Sequence, residues 1–276
     1  MSGRLLIAIA ALLWSTGGAA VKLSSLGGTQ LVAGRAVVAG LVLFILFPKA
    51  RRGWNRDVWI GGVAYAATCT LFIFANTLTT AGNAIFLQNI APAWVLLLSP
   101  ILLNERATFA EKLTLPVSLV GCLLFFVDDV SAGSMLGNGL AVGASFSYAT
   151  VLLFYRRLDV TGGIAATLCG NLLICVVVLP FAFDGPAPQL TDYLVVFHLG
   201  AIQQAGAAML YVRGIRELSA MEGALLVYLE PVMSPVWAFL AVGERLTPLA
   251  ILGGALIVGG AIWRTWYTIR AARRVG

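Results

Sequence analysis

The chain has 276 residues, of which 60% are apolar and only 11% are charged, and its formal net charge is +6. Soluble domains carry about 25% charged residues, so this composition excludes a globular protein that folds in water. Lys and Arg lie in short stretches between apolar runs, which excludes the basic, water-exposed face of a nucleic-acid-binding protein. The expected surroundings of the chain are therefore a lipid bilayer.

Ten apolar runs follow one another, and each is long enough to cross the bilayer core as a helix. They cover residues 4–22, 29–48, 58–79, 83–103, 111–127, 137–155, 162–182, 193–212, 223–242 and 247–267. Unpaired backbone groups are costly in hydrocarbon, and these runs do not alternate with a period of two, so helices are predicted rather than barrel strands. We predict an all-α integral membrane protein with ten transmembrane helices in one membrane domain.

The distribution of basic residues predicts that both termini are cytoplasmic. With a cytoplasmic N-terminus, all but three of the 18 Lys and Arg residues fall in inner segments. Arg35 lies within the second helix. The outer connections hold Lys22, Arg245, Asp128, Asp129, Asp184 and Asp192. This asymmetry is typical of a multi-pass protein of a bacterial cytoplasmic (inner) membrane.

The two halves of the chain are related by an internal repeat. Residues 75–125 align without a gap onto residues 214–264 at an offset of 139, and nearer the N-terminus the offset is 134. The matched pairs include Gly3 with Gly137, Trp14 with Tyr148, Pro92 with Pro231, Glu105 with Glu244, and Arg106 with Arg245. We predict two five-helix repeats, residues 1–132 and 133–276. Because five is odd, the second repeat is inverted, as in transporters that alternate around a midplane site.

Several short motifs support a family resemblance. The first helix reads Ala11-Leu-Leu-Trp14-Ser-Thr, and the second helix contains Arg35. The fourth and ninth helices carry Ala84-x-x-Leu87-x-x-x-x-Pro92 with Asn104-Glu105-Arg106, and Gly223-x-x-Leu226-x-x-x-x-Pro231 with Gly243-Glu244-Arg245. With these motifs the chain resembles the EamA-type branch of the drug/metabolite transporter superfamily. Within it, the chain is most similar to bacterial exporters of aromatic and other neutral amino acids.

The candidate substrate-binding residues are polar or aromatic side chains inside the predicted helices. Polar groups are unfavourable against lipid and turn toward other helices or a cavity, and aromatic rings suit a flat or amphiphilic guest. The candidates are Trp14, Tyr65, Phe72, Gln88, Asn89, Tyr148, His198, Gln203, Gln204 and Tyr228. Helix-to-helix hydrogen bonding is the alternative role for these amides and the lone histidine. At 100° per residue, Tyr193, Gln204 and Tyr211 are predicted to share a face of the eighth helix.

Two charged residues lie at depth in the predicted helices. Glu230 is a candidate for proton coupling or for binding a substrate ammonium group, although its place before Pro231 also fits a structural role. Arg35 is the second charged candidate. Pro92 and Pro231 are predicted to kink their helices near mid-depth, as hinges or as static bends.

Other protein classes are less well supported by these residues. Cys69, Cys122, Cys169 and Cys175 form no CxxC pair, so neither a metal site nor a cofactor is expected. The polar residues are too dispersed for an enzyme active site.

We predict a secondary transporter that exports small amphiphilic metabolites, foremost aromatic and neutral amino acids, by alternating access. A broader metabolite or drug exporter and a channel-like facilitator remain alternatives, and the oligomeric state stays open, with a monomer compatible.

Overall fold

A computed structural model gives an all-helical chain, and it describes residues 1–127, 134–243 and 247–275. Nine of the described helices are long and apolar enough to cross a bilayer, and a further helix of 18 residues lies at the short end of the spanning range. The ten-helix fold is thereby confirmed. The boundary predicted between residues 132 and 133, and the predicted features at Asp128, Asp129, Glu244 and Arg245, lie outside the described residues.

The helices follow the apolar runs of the sequence in chain order. The first five are Gly3–Lys22, Gly28–Leu46, Arg56–Leu78, a fourth in two segments (Ala81–Gln88 and Ala91–Leu102), and Phe109–Phe126. The sixth to eighth are Met135–Arg157, Val160–Val178 and Leu190–Glu217. The ninth has two segments, Ala220–Leu226 and Leu229–Val242, and the tenth is Pro248–Val275.

Packing between the helices follows an approximate two-fold relation. The third helix packs on the sixth and seventh, and its repeat partner, the eighth helix, packs on the first and second. The second and seventh helices pack on each other, as do the fifth and tenth. Each repeat therefore completes its core with helices of the other, so neither five-helix unit buries its apolar faces alone.

Glycines show how closely the two repeats approach. A Cβ added at Gly3 would lie 2.4 Å from the carbonyl oxygen of Gly214, and a Cβ added at Gly137 would lie 2.8 Å from the carbonyl carbon of Leu78. Gly3 and Gly137 are the repeat-related pair at an offset of 134, and each meets the last turn of a helix from the opposite repeat. The same backbone contact is thus made twice.

Helix starts are also repeated at an offset of 139. Thr80 and Ser219 cap the fourth and ninth helices, each accepting a hydrogen bond from the backbone N–H three residues later. Thr108 does the same at the fifth helix and Thr247 at the tenth. A side-chain oxygen at this position satisfies one of the N–H groups that have no partner within the helix. The same local sequence signal therefore starts equivalent helices in both halves.

Ion pairs among the described residues gather at one end of the bundle, where the odd-numbered helices begin and the even-numbered helices end. We call this the charged end. Glu222 pairs with Arg4 at 2.8 Å and with Arg264 at 3.3 Å. Glu105 pairs with Arg156 at 2.8 Å and accepts a 2.8 Å hydrogen bond from the backbone N–H of Ala220. These contacts join the first, sixth, ninth and tenth helices.

The opposite end is joined by neutral groups at the equivalent positions. Asn83 corresponds to Glu222 at an offset of 139, and Asn138 corresponds to Arg4 at an offset of 134. The Nδ2 of Asn83 donates to the Oδ1 of Asn138 at 3.1 Å, and the hydroxyl of Thr79 donates to the same oxygen at 2.7 Å. Equivalent positions of the two repeats therefore carry an ion pair at the charged end and an amide pair at the opposite end.

The fifth and tenth helices offer a test of this close packing. A Cβ at Gly253 would lie 2.4 Å from the carbonyl oxygen of Gly121, whereas a Cβ at Gly259 on the same helix would meet nothing within 4 Å. We expect Gly253→Ala to destabilise the protein by about 1–3 kcal/mol through overpacking. Gly259→Ala should be neutral or stabilising by up to about 1 kcal/mol, because alanine favours helix. Thermal unfolding of the purified protein in detergent measures both, and equal melting temperatures would contradict this packing.

Candidate substrate site

The fourth and ninth helices are each interrupted near their middle, and the two interruptions meet. The breaks lie at Asn89–Ile90 and at Val227–Tyr228, which correspond to within one residue at the repeat offset of 139. The hydroxyl of Tyr228 donates a 2.8 Å hydrogen bond to the backbone carbonyl of Asn89, its own repeat partner. The two breaks are therefore held together by a contact across the axis that relates the repeats.

Both breaks are tight turns and not gradual bends. Backbone bonds from Ile90 to Leu87, at 3.3 Å, and from Tyr228 to Leu225, at 3.2 Å, span three residues as in a 3₁₀ turn. The predicted kinks at Pro92 and Pro231 take a different form, because the helices stop before the prolines and restart around them. Proline is well tolerated in the first turn of a helix, where its missing N–H would have no partner.

A small cavity lies between the two breaks and the sixth helix. Its volume is about 10 Å³, roughly the space of one water molecule. It is lined by Asn89, Ala91, Pro92, Tyr148, Leu152, Ala224, Val227 and Tyr228. The structure thus brings three of the predicted binding residues, Asn89, Tyr148 and Tyr228, to one place. An organic metabolite needs far more room, so binding there requires the helices to separate.

Glu230 follows the cavity-lining residue Tyr228 by two positions, in the first turn after the break in the ninth helix. Within the described parts of the chain, its carboxylate has no hydrogen bond or ion pair. A carboxylate in the first turn of a helix is favoured by the helix dipole, which supports the structural role weighed for it. Its repeat partner is Ala91, so a carboxylate is present on one side of the axis and a methyl group on the other.

A second polar group of side chains lies between the second, third and eighth helices. The Nε2 of Gln204 donates to the hydroxyl of Tyr65, its repeat partner at an offset of 139, and lies 3.9 Å from the Sγ of Cys69. The guanidinium group of Arg35 lies beside Cys69. The Nε of Arg35 and the Oε1 of Gln204 are both buried without a hydrogen-bond partner. Three of the predicted residues, Arg35, Tyr65 and Gln204, therefore form a second polar group. The sequence did not distinguish them from the residues that line the cavity.

His198 and Gln203 contact the first helix. The hydroxyl of Thr16 lies 2.9 Å from the Nε2 of His198, and the Nε2 of Gln203 donates to the backbone carbonyl of Trp14 at 3.1 Å. These bonds hold the first helix against the eighth, as expected for helix-to-helix hydrogen bonding.

The remaining candidates lie apart from both polar groups or have no hydrogen bond. Phe72 packs with the buried alanines Ala75, Ala84 and Ala141 between the third, fourth and sixth helices. The half-buried Gln88 side chain has no hydrogen bond within the described residues.

The eighth helix corrects the prediction of a shared face for Tyr193, Gln204 and Tyr211. Tyr193 is 62% exposed, whereas Gln204 is 6% and Tyr211 0% exposed. The reason is a π-helical segment, His198–Gly206, in which hydrogen bonds span five residues rather than four. Each residue of this segment turns less than 100° around the axis, so a regular α-helical projection fails across it.

An aromatic cluster in the interior went unrecognised in the sequence. The ring of Tyr211 lies 5.5 Å from that of Trp14 and 6.0 Å from that of Tyr155. The Tyr155 hydroxyl is 2.6 Å from the hydroxyl of Thr167, and the Tyr211 hydroxyl is buried without a partner. Only the position of Tyr211 and Tyr155 deep within their apolar runs could have drawn attention to them.

These features define a class of protein: a multi-pass helical membrane protein with inverted repeats and a small cavity at the crossing of two broken helices. The EamA-like transporter family matches residues 1–127 and again 135–266. The chain belongs to that family, whose members are transporters. A solved crystal structure shares the fold, with a TM-score of 0.83, 21% identity and 98% of each chain covered.

Three relatives indicate the range of the family. A probable terminal-alkyne amino-acid exporter of Streptantibioticus cattleyicolor is 27% identical, over 88% of this chain and 85% of the relative. The pseudopaline exporter CntI of Pseudomonas aeruginosa is 25% identical over 95% of each chain. The threonine/homoserine exporter RhtA of Escherichia coli is 24% identical, over 98% of this chain and 92% of the relative.

The contact between the helix breaks can be tested with matched tyrosine variants. We expect Tyr228→Phe to destabilise the protein by about 1 kcal/mol, because it leaves the part-buried carbonyl of Asn89 without its donor. Tyr193→Phe removes a hydroxyl that is exposed and should leave the melting temperature unchanged. Thermal unfolding in detergent measures both, and a Tyr228→Phe protein as stable as the Tyr193→Phe control would contradict the role of this bond.

Proposed function

We propose that the chain exports small amphiphilic metabolites from the cytoplasm by alternating access, foremost aromatic and other neutral amino acids. The observation that carries this proposal is the crossing of the two broken helices at a cavity lined by Asn89, Tyr148 and Tyr228. Tyrosine rings with a polar edge and an asparagine suit a guest that is partly apolar and partly polar. The three relatives named as exporters of amino acids or of pseudopaline favour the same substrate class and an outward direction.

Alternating access is supported by the form of the repeat. Two inverted units with equivalent packing can exchange roles, so that a cavity between them opens first to one side and then to the other. The contacts that close each end lie at equivalent positions: Arg4 with Glu222 at the charged end, and Asn138 with Asn83 at the other. A cavity of about 10 Å³ also disfavours a continuously open channel.

Orientation and location follow from charge. The charged end carries most of the basic residues, so we assign it to the cytoplasm of a bacterial inner membrane, with both termini on that side. Outward transport then begins when the contacts of the charged end release.

Transport by purified protein in liposomes tests the proposal. We expect counterflow: vesicles loaded with unlabelled phenylalanine or threonine should accumulate the labelled amino acid transiently above its external concentration. A saturable carrier produces this overshoot, whereas an open channel does not. Protein-free liposomes and a nucleotide sugar serve as controls. Uptake without overshoot would favour the channel-like facilitator, and transport of the nucleotide sugar alone would exclude the amino-acid proposal.

Glu230 is proposed as the coupling carboxylate. We expect Glu230→Gln to lose the dependence of net export on a proton gradient while keeping counterflow, because glutamine preserves the shape but cannot release a proton. Asp184→Asn, at an exposed position, is the matched control and should stay coupled. The measurement is labelled amino-acid transport with and without an imposed pH gradient. Full gradient dependence in Glu230→Gln would assign Glu230 a structural role at the helix start.

A further inference from the structure

Arg35 is a charged residue inside an apolar helix, and no carboxylate of the described residues balances it. The ion pairs found among the described residues involve other arginines and lie at the charged end. The Nε of Arg35 is buried and has no acceptor. Burial of an unpaired charge within a membrane span is costly, and such residues mark sites where something else supplies the partner.

The neighbours of Arg35 offer donors and no negative charge. Gln204 contacts Tyr65 with one end of its amide, while the other end is buried without a partner. The two ends of an amide are assigned from the hydrogen bonds they make, and the reverse orientation is chemically equivalent for the Tyr65 contact. In that orientation the oxygen accepts from the Tyr65 hydroxyl and the NH₂ group becomes free to donate. The guanidinium and the amide together then present only N–H groups.

The backbone around Arg35 is arranged so that the second and eighth helices come very close. A Cβ at Gly200 would lie 2.7 Å from the carbonyl oxygen of Arg35 and 2.6 Å from the Cβ of Val38. Gly200 belongs to the π-helical segment, which also contains Gln204. Such segments are found frequently at functional sites, because the extra residue in the turn redirects a side chain. Here the segment buries Gln203 and Gln204 side by side, with Gln204 directed at Tyr65.

We propose that Arg35 and Gln204, held in place by Tyr65, form a subsite for the carboxylate group of the transported molecule. A planar guanidinium binds a carboxylate through two parallel hydrogen bonds, and charge-assisted bonds of this kind are about twice as strong as neutral ones. The subsite rests on the proposed function and narrows it. It favours metabolites with a carboxylate, such as amino acids, over amines and neutral sugars.

The test compares phenylalanine with phenylalaninamide, which keeps the ring and the amino group but lacks the carboxylate. Both compete against labelled phenylalanine in counterflow, using full-length protein in liposomes. For the wild type we expect phenylalaninamide to compete at least about tenfold more weakly, equivalent to about 1.4 kcal/mol. In Arg35→Gln the two compounds should compete within about threefold of each other. Arg35→Lys should keep an intermediate preference, because lysine retains the charge but not the paired geometry.

Arg52 is an exposed arginine, and Arg52→Gln is the matched control. It should keep the wild-type preference for phenylalanine over phenylalaninamide. Equal competition by the two compounds in the wild type, or an unchanged preference in Arg35→Gln, would overturn the subsite while leaving amino-acid export intact. If Arg35→Gln does not fold, Arg35→Lys takes its place, and a wild-type preference in that variant would overturn the subsite.

A binding measurement separates failure of the subsite from failure of the proposed function. Benzoate, but not benzamide, should raise the melting temperature of wild-type protein in detergent, and Arg35→Gln should lose this difference. If the liposomes carry no amino acid yet benzoate stabilises the wild type selectively, the carboxylate subsite stands and the amino-acid proposal fails. Absence of any difference between benzoate and benzamide in the wild type counts against the subsite.

Discussion

The hydrogen bond from Tyr228 to the backbone carbonyl of Asn89 joins the two points at which long membrane helices are broken. In a bilayer, a broken helix is tolerated only where protein or water satisfies the freed backbone groups. Here the break in the ninth helix supplies a hydrogen-bond donor to a backbone carbonyl at the break in the fourth, its equivalent in the inverted repeat. The cavity, the first turn containing Glu230 and the prolines that restart each helix all depend on this crossing.

A symmetric backbone carries an asymmetric set of side chains. Glu230 corresponds to Ala91 in the repeat, Tyr228 bonds to its partner Asn89, and Gln204 bonds to its partner Tyr65. The two bonded pairs bring different chemistry to the same place, which a duplicated unit with identical side chains could not do. The ends differ in the same way at their equivalent positions, with the Arg4–Glu222 ion pair at one and the Asn138–Asn83 amide pair at the other. Salt weakens an ion pair more than an amide pair, so in the proposed alternating-access cycle salt should favour opening at the charged end.

Eight of the candidate residues fall into three groups that their sequence positions did not separate. Asn89, Tyr148 and Tyr228 line the central cavity, whereas Arg35, Tyr65 and Gln204 form a second polar group. His198 and Gln203 join the first and eighth helices. Adjacent residues such as Gln203 and Gln204 contact different helices, because consecutive residues of a helix point in different directions. Which neighbouring helix each of them meets depends on the packing of the bundle.

The sequence by itself determined the ten helices, the inverted repeat and the membership of a transporter class. These follow from composition, run length and a constant offset, which are local or one-dimensional properties, and the bilayer allows few other folds. Only the tertiary structure decided that the fourth and ninth helices break before their prolines, that Tyr193 is exposed, and that Arg35 lies beside Cys69. Those outcomes depend on how closely helices from opposite repeats approach, and that distance is set by glycines and hydrogen bonds between residues far apart in the chain.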